Sequence, residues 1–314
     1  MRADVLTIGE AMVTVRCAGP LRLGGDSRVS TAGAEANVAI ALSRLGHTAR
    51  WTGALGDDEP GELVLRTLRA EGVLTDHVVR RTDAPTGLLL RDVAAGGRAR
   101  VHYYRRDSAA ATLSWDEVRP AVEAGQAGLH ITGITPALGP APLEAVTSAA
   151  GHARAAGAWV SLDVNHRSLL WSREEAARAL RPLLPYVAVL IASDDELGLV
   201  ADGDGERDRV AALLDAGIEE VVVKRGAAGA SYHDARTSFD VPARKVPVVD
   251  VVGAGDAFTA GYLSGRLDGL DAYGRLERAT LLGAASVACA GDWEGLPTRA
   301  ELPALALPDG ETLR

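Results

Sequence analysis

The stretch VVDVVGAGDAFTAGYL, residues 248 to 263, holds residues whose types and spacing could do chemistry. Gly253, Ala254 and Gly255 read as a turn that opens a helix, and the free amides and dipole of a helix's first turn attract anions. The next residue, Asp256, is itself an anion. A carboxylate beside an anion cradle makes sense where a phosphoryl group is moved: the amides stabilise charge on the phosphate while Asp256 accepts the proton of an attacking hydroxyl. The tetrapeptide alone leaves a second reading open, in which Asp256 caps a helix beginning near Ala257.

The elements that must position these residues follow from the hydrophobic pattern. Residues 4–9, 49–56, 128–133, 158–165, 187–193 and 219–226 are short apolar runs rich in β-branched residues, as buried strands are. Helical patterns lie between them, at 33–46, 60–72, 141–157 and 172–184, several closed by glycine. This alternation predicts a three-layer α/β/α core with a mostly parallel sheet. Residues 11–31 and 86–107 break the rhythm and read as hairpin strands, the second with Gly96 and Gly97 at its turn. They are expected to form a small antiparallel sheet, a lid, attached to one domain spanning 1–314.

Ligands of open α/β sheets bind beyond the carboxyl ends of the strands. SLDVNHR, VVVKRG and GAGD all place polar residues there. The formal charge of −9, with no basic run, argues against a nucleic-acid or anionic-membrane partner. Cys17 and Cys289 lack metal-ligand spacing and suit a reducing compartment; with no apolar run of membrane length and no leader-like start, a cytoplasmic protein is expected. A P-loop is excluded because Lys224 and Lys245 follow Val223 and Arg244 rather than glycine. A GxGxxG fingerprint is missing, since Phe258 stands at its third glycine, which disfavours a nicotinamide oxidoreductase.

AGAEANVAIALSRLG (32–46) and DVVGAGDAFTAGYLSG (250–265), in this order, resemble the N-terminal and C-terminal motifs of the ribokinase (PfkB) family of carbohydrate kinases. The resemblance covers almost the whole chain and is greatest to 2-keto-3-deoxygluconate kinases. It implies that Asp256 is the catalytic base and that the amides of Gly253, Ala254 and Gly255 form the anion hole. It also implies ATP-dependent phosphorylation of a sugar acid's 6-position hydroxyl, with Mg2+.

By the same resemblance Gly33 and Asn37 approach the sugar, although Asn37 also reads as a satisfied buried amide. Tyr103, Arg105 and Arg167 match residues that reach the acid. Paired arginines suit a carboxylate, which a guanidinium grips through two bonds; the alternative is that Arg105 and Arg106 lie on a solvated face. GITPAL (133–138) adds to the likeness. KRGAAG (224–229) resembles the loop bordering ATP, with Lys224 and Arg225 offsetting phosphate charge and Gly226 and Gly229 admitting the backbone; a surface salt bridge is the other reading of Arg225. The helix around 281–288 is expected to wall the adenine.

Some positions depart from the family pattern. Ser193 stands where many relatives have asparagine, three residues before Glu196, which would orient magnesium-bound water. Ala32 replaces a glycine. Val251 replaces the frequent threonine in the loop near Asp250 where relatives hold a monovalent cation, K+, and so counts against such a site here. A fructokinase is the alternative substrate reading, and a catalytically silent sugar-binding module the alternative class. The lid's open edges and apolar face point to a homodimer.

Overall fold

The computed structural model describes residues 1–94 and 99–305; the turn expected at Gly96 and Gly97 lies outside them. Fourteen strands are present among the described residues: β1 (Ala3–Ile8), β2 (Met12–Cys17), β3 (Ser27–Ala32), β4 (Ala49–Thr52), β5 (Ala54–Gly56), β6 (Val79–Arg81), β7 (Leu88–Val93), β8 (Ala99–Tyr104), β9 (Gln126–Thr132), β10 (Trp159–Asp163), β11 (Val189–Ser193), β12 (Glu220–Lys224), β13 (Ala230–His233) and β14 (Ser238–Val241). The helices are α1 (Ala34–Arg44), α2 (Glu59–Ala70), α3 (Trp115–Glu123), α4 (Pro140–Ala155), α5 (Arg173–Leu180), α6 (Leu197–Val200), α7 (Glu206–Asp215), α8 (Ala254–Leu267), α9 (Ala272–Val287) and α10 (Leu302–Leu305).

Eight strands make the main sheet, in the order β14-β13-β12-β11-β10-β9-β1-β4. All its pairings are parallel except those of the β13–β14 hairpin at one edge. Successive strand residues are buried on opposite faces. Leu190 and Ala192 join one core with α3, α4, α5, α6 and α7, whereas Val189 and Ile191 join the other with α1, α2, α8 and α9. Burial on both faces is why these strands are unbroken apolar runs. The run 49–56 nevertheless divides. A Cβ at Gly53 would lie 2.2 Å from the Gly9 carbonyl oxygen, so the backbones close there; β5 then leaves the main sheet to pair with β6.

The remaining strands form a second sheet, in the order β3-β2-β7-β8. Its central pair, β2 and β7, is parallel, which corrects the expectation of an antiparallel sheet. Each hairpin starts from the core and returns to it, so the two first strands run outward side by side. The register puts Met12, Ala32, Leu89, Arg91, Val101 and Tyr103 on one face, and that face closes a cavity over the main sheet. The opposite face carries Val15, Val29, Leu90 and Tyr104, with Val29 and Tyr104 exposed.

Among the described residues no helix is long and apolar enough to cross a membrane.

Candidate active site

The cavity, about 490 Å³, lies at the carboxyl ends of β1, β10, β11 and β12. Those strands end on or just before Glu10, Asn165, Ser193 and Lys224, all of which line it. The N-terminus of α8 enters from one side. Gly253 caps this helix in the left-handed region, at φ 77°, and a Cβ there would lie 2.0 Å from the Asp292 carbonyl oxygen. Only glycine tolerates both constraints. The cap is therefore Gly253, and Asp256 stands at the third helical position instead of capping a helix that begins near Ala257. Around it are first-turn amides that have no acceptor within the helix.

Helix α1 packs beside α8 on the same face of the sheet, which brings Asn37 to Asp256. Asn37 Nδ2 donates to Asp256 Oδ2 at 2.8 Å, so this buried amide orients the carboxylate. Burial pushes the Asp256 carboxyl above its ordinary value and the Asp163 charge adds to the rise, against the Asn37 bond and the Arg167 and Lys224 charges. Asp163, at the end of β10, accepts from Lys224 Nζ at 2.7 Å on each oxygen and from Thr259 Oγ1 at 2.9 Å. The pair holds Lys224 beside the α8 terminus, where a Cβ at Gly255 would come 3.8 Å from Nζ. A buried carboxylate, the free amides of a helix terminus and a fixed ammonium thus converge on one space, an arrangement suited to phosphoryl transfer.

Two further carboxyls are buried around the cavity. Burial pushes Glu35 up to about 7, against hydrogen bonds from the Thr132 and Thr135 hydroxyls at 2.7 and 2.8 Å. Burial pushes Asp292 up to about 7 as well, helped by the charges of Asp256, Glu294 and Asp250 and opposed by Arg16.

Four cationic side chains line the cavity, and three are engaged. Arg91 grips Asp250, Arg105 is ion-paired with the buried Glu10, and Lys224 is held by Asp163. Arg105 also lies over the Tyr103 ring, 5.3 Å from its centre. Arg167 is exposed, and among the described residues its side chain makes no hydrogen bond or ion pair. Among the described residues it is the one cavity cation whose side chain has no partner.

Gly33, Asn37, Tyr103, Arg105, Arg167, Ser193, Glu196, Lys224, Gly253, Gly255 and Asp256 all reach this space. Gly33 permits close approach: a Cβ would lie 2.4 Å from the Glu10 carbonyl oxygen. Gly226 and Gly229 do not line the cavity. Gly229 instead lets the β12–β13 turn close against Val241, whose carbonyl oxygen would be 2.1 Å from a Cβ. Arg225 bonds Glu206 at 2.6 and 3.1 Å, the salt-bridge reading of that residue. Ser193 Oγ donates to Asp195. Glu196 accepts the amides of His166 and Ser193 at 2.7 and 2.8 Å, tying the ends of β10 and β11 together. Asp250, near which the resemblance raised a K+ site, has its carboxylate taken by Arg91 at 2.6 and 2.8 Å. Among the described residues no cluster of three or more His, Cys, Asp or Glu could hold a metal ion. Sequence reasoning missed Asp163, Glu35, Arg91 and Asp292. Asp163 had a signal, an acid closing the apolar run SLDV; the others meet the site only through tertiary contacts.

Comparison with known proteins agrees with this geometry. A model of the pfkB family of carbohydrate kinases matches residues 2–299. The chain is 36% identical to a 2-dehydro-3-deoxygluconokinase of Bacillus subtilis, covering 96% of this chain and 95% of that one. It is 35% identical to a 2-dehydro-3-deoxygalactonokinase of Haloferax volcanii, covering 92% and 91%. An E. coli protein described as a ribokinase II candidate, solved in complex with ATP and Mg+2, superposes with a TM-score of 0.91 at 27% identity, covering 97% of this chain and 99% of that one. With the family model matching residues 2–299, the chain belongs to the pfkB family of carbohydrate kinases.

Proposed function

We propose that the protein transfers the γ-phosphoryl group of ATP to the 6-position hydroxyl of 2-keto-3-deoxygluconate. The observation that carries the acid substrate is Arg167, whose guanidinium feels the charge of Asp256 but makes no ion pair among the described residues, in a cavity whose other cations are paired. A neutral sugar offers such a group hydroxyl acceptors but no countercharge, whereas a carboxylate takes it in a charged, bidentate pair worth about 1.5–3 kcal/mol per hydrogen bond. The similarity to a 2-dehydro-3-deoxygluconokinase supports the same reading.

Asp256 accepts the hydroxyl proton as the sugar oxygen bonds to phosphorus and the bond to the ADP oxygen breaks. Asn37 holds the receiving carboxylate in place, and its burial keeps its basicity above that of an exposed aspartate. The amides of Gly253, Ala254 and Gly255 stabilise charge on the moving group, and Lys224, fixed by Asp163, adds a localised positive charge beside them. Tyr103, Arg105 and Gly33 shape the sugar end, and the four-stranded sheet excludes water. Magnesium, when bound, neutralises the nucleotide's phosphates and would be held mainly by them, with Glu196 and Ser193 near its water shell. Each Glu196 oxygen has one amide donor, which leaves a lone pair for water. The exposed Val29 and Tyr104, on an outer face that also carries Asp92, Arg100 and His102, support a homodimer formed through it, for which light scattering at micromolar concentration should give the mass of two chains; a single-chain mass removes this part of the proposal.

The test is magnesium-dependent ADP release with 2-keto-3-deoxygluconate, its galactose-derived epimer, fructose and ribose in parallel, with Asp256→Asn as control. The gluconate-derived acid should give the highest kcat/KM, and the variant should lose about 10²- to 10⁴-fold in kcat. A higher value for fructose would move the assignment to a fructokinase. The epimer is the closer rival, since the Haloferax relative is a galactonate-type kinase. Binding without turnover would leave only a sugar-binding module.

A further inference from the structure

The loop from Asp250 to Gly253 does not fit a monovalent cation. Both oxygens of Asp250 face the Arg91 fork, Nη1 to Oδ2 at 2.6 Å and Nη2 to Oδ1 at 2.8 Å. Oδ1 also accepts the Val252 amide at 3.1 Å, and Arg16 Nη1 lies 3.8 Å from Oδ2. A metal cation brought to this buried carboxylate would meet two guanidinium charges and would have to displace a bidentate pair. Nor does the neighbouring side chain offer an oxygen, because Val251 is hydrophobic and turned to solvent, 66% exposed.

The same contacts do what a bound cation would do. They neutralise Asp250 and lock the carboxylate that holds the Val252 amide, one residue before the helix cap. Unlike a free ion, this charge belongs to β7 of the four-stranded sheet, and Arg91 lines the substrate cavity. The position of the cover is thereby linked to the geometry of the α8 terminus.

We infer that Arg91 is a built-in cation for the anion-hole loop, so that phosphoryl transfer needs no K+ and the loop is set only when the covering sheet is in place. Arg91 is a positioning residue: it acts through Asp250 and the Val252–Gly253 backbone. The inference rests on the kinase chemistry of the site for its kinetic readout, but its melting readout needs no substrate.

The experiment compares wild type, Arg91→Ala and Arg91→Lys in K+, Na+ and tetramethylammonium chlorides at matched ionic strength. Wild-type kcat and Tm should be the same in all three salts. Arg91→Ala should lose roughly tenfold to a hundredfold in kcat, the worth of a charged hydrogen-bonded pair. K+ or free guanidinium, but not tetramethylammonium, should restore much of that loss and raise the variant's Tm. Arg91→Lys should fall between the two. Wild-type activity or Tm that depends on K+ overturns the inference, as does an Arg91→Ala enzyme with wild-type kcat. A loss that no small cation relieves also overturns it, since that outcome marks a purely structural contact. Should the alanine variant fail to fold, the wild-type salt series and the lysine variant still decide. Absence of turnover with every sugar would refute the sugar-acid reading while the melting comparison still judged Arg91.

Discussion

Replacing Glu35 by Gln isolates a stability term that the structure makes large. The carboxyl is fully buried; Oε1 accepts from Thr132 and Thr135, and Oε2 has no hydrogen-bond partner. The fold therefore prefers the protonated acid, and the group rises from the usual 4.5 to about 7. At about 1.36 kcal/mol per pH unit, that rise is worth roughly 3 kcal/mol. Below pH 4.5 the folded and unfolded chains both hold the proton and the term costs nothing. As pH climbs from 4.5 toward 7 the unfolded chain releases the proton first, stability falls, and above 7 the loss is complete. Glutamine mimics the protonated acid at every pH. Relative to wild type, Glu35→Gln should gain about 3 kcal/mol between pH 4.5 and 8, which at about 2 °C per kcal/mol is a Tm difference of about 6 °C. Asp292 titrates near the same pH but is present in both proteins and cancels. Thermal melts of the two proteins across this range provide the assay. Parallel Tm curves would show that Glu35 keeps its charge in the fold, and the argument from burial would be wrong.

Three other outcomes follow from the geometry. Gly253→Ala should lower Tm and abolish most activity, because the φ of 77° and the 2.0 Å approach to Asp292 together cost more than the roughly 1–3 kcal/mol of a strained backbone alone; a variant with normal Tm and kcat would contradict it. Arg167→Ala should raise KM for the sugar acid about tenfold to a hundredfold and leave KM for ATP nearly unchanged; steady-state kinetics with each substrate varied will tell, and an effect on ATP alone would place the guanidinium at the wrong end of the cavity. Asp256→Asn should match or exceed wild type in Tm at neutral pH, because it removes a carboxylate whose burial disfavours its charge; a lower Tm would mean that the charge itself holds α1 to α8.

The parallel core was legible because strands buried on both faces are written as continuous apolar runs, and Leu190 or Val222 announces a strand whichever face it serves. The β13–β14 hairpin was not, because half of its residues are polar and the ones it gives the core, Ala230, Tyr232 and Val241, are scattered along two four-residue strands. Nor does local pattern say how two hairpins far apart in sequence lie against each other; the parallel β2–β7 pairing depends on where the core launches them. GAGD could be read because its chemistry is local. Arg91 and Asp250 could not, since 159 residues separate them and each alone looks like an ordinary surface charge. Arg105 shows the opposite error: the residue was found, but its buried partner Glu10 takes part of the charge assigned to a substrate.

The covering sheet is built from two hairpins that leave the core and come back to it, while Asp256, Lys224, Asp163 and the α8 terminus all belong to the core. Tyr103 and Arg105 ride on or just beyond the second hairpin. On the reading proposed above, the hairpins supply part of the sugar end of the cavity, while Arg167 and Gly33 supply the rest from the core. A change confined to the second hairpin would reshape one side of the cavity without touching Asp256 or Lys224, but it would also have to keep Arg91, the partner of Asp250.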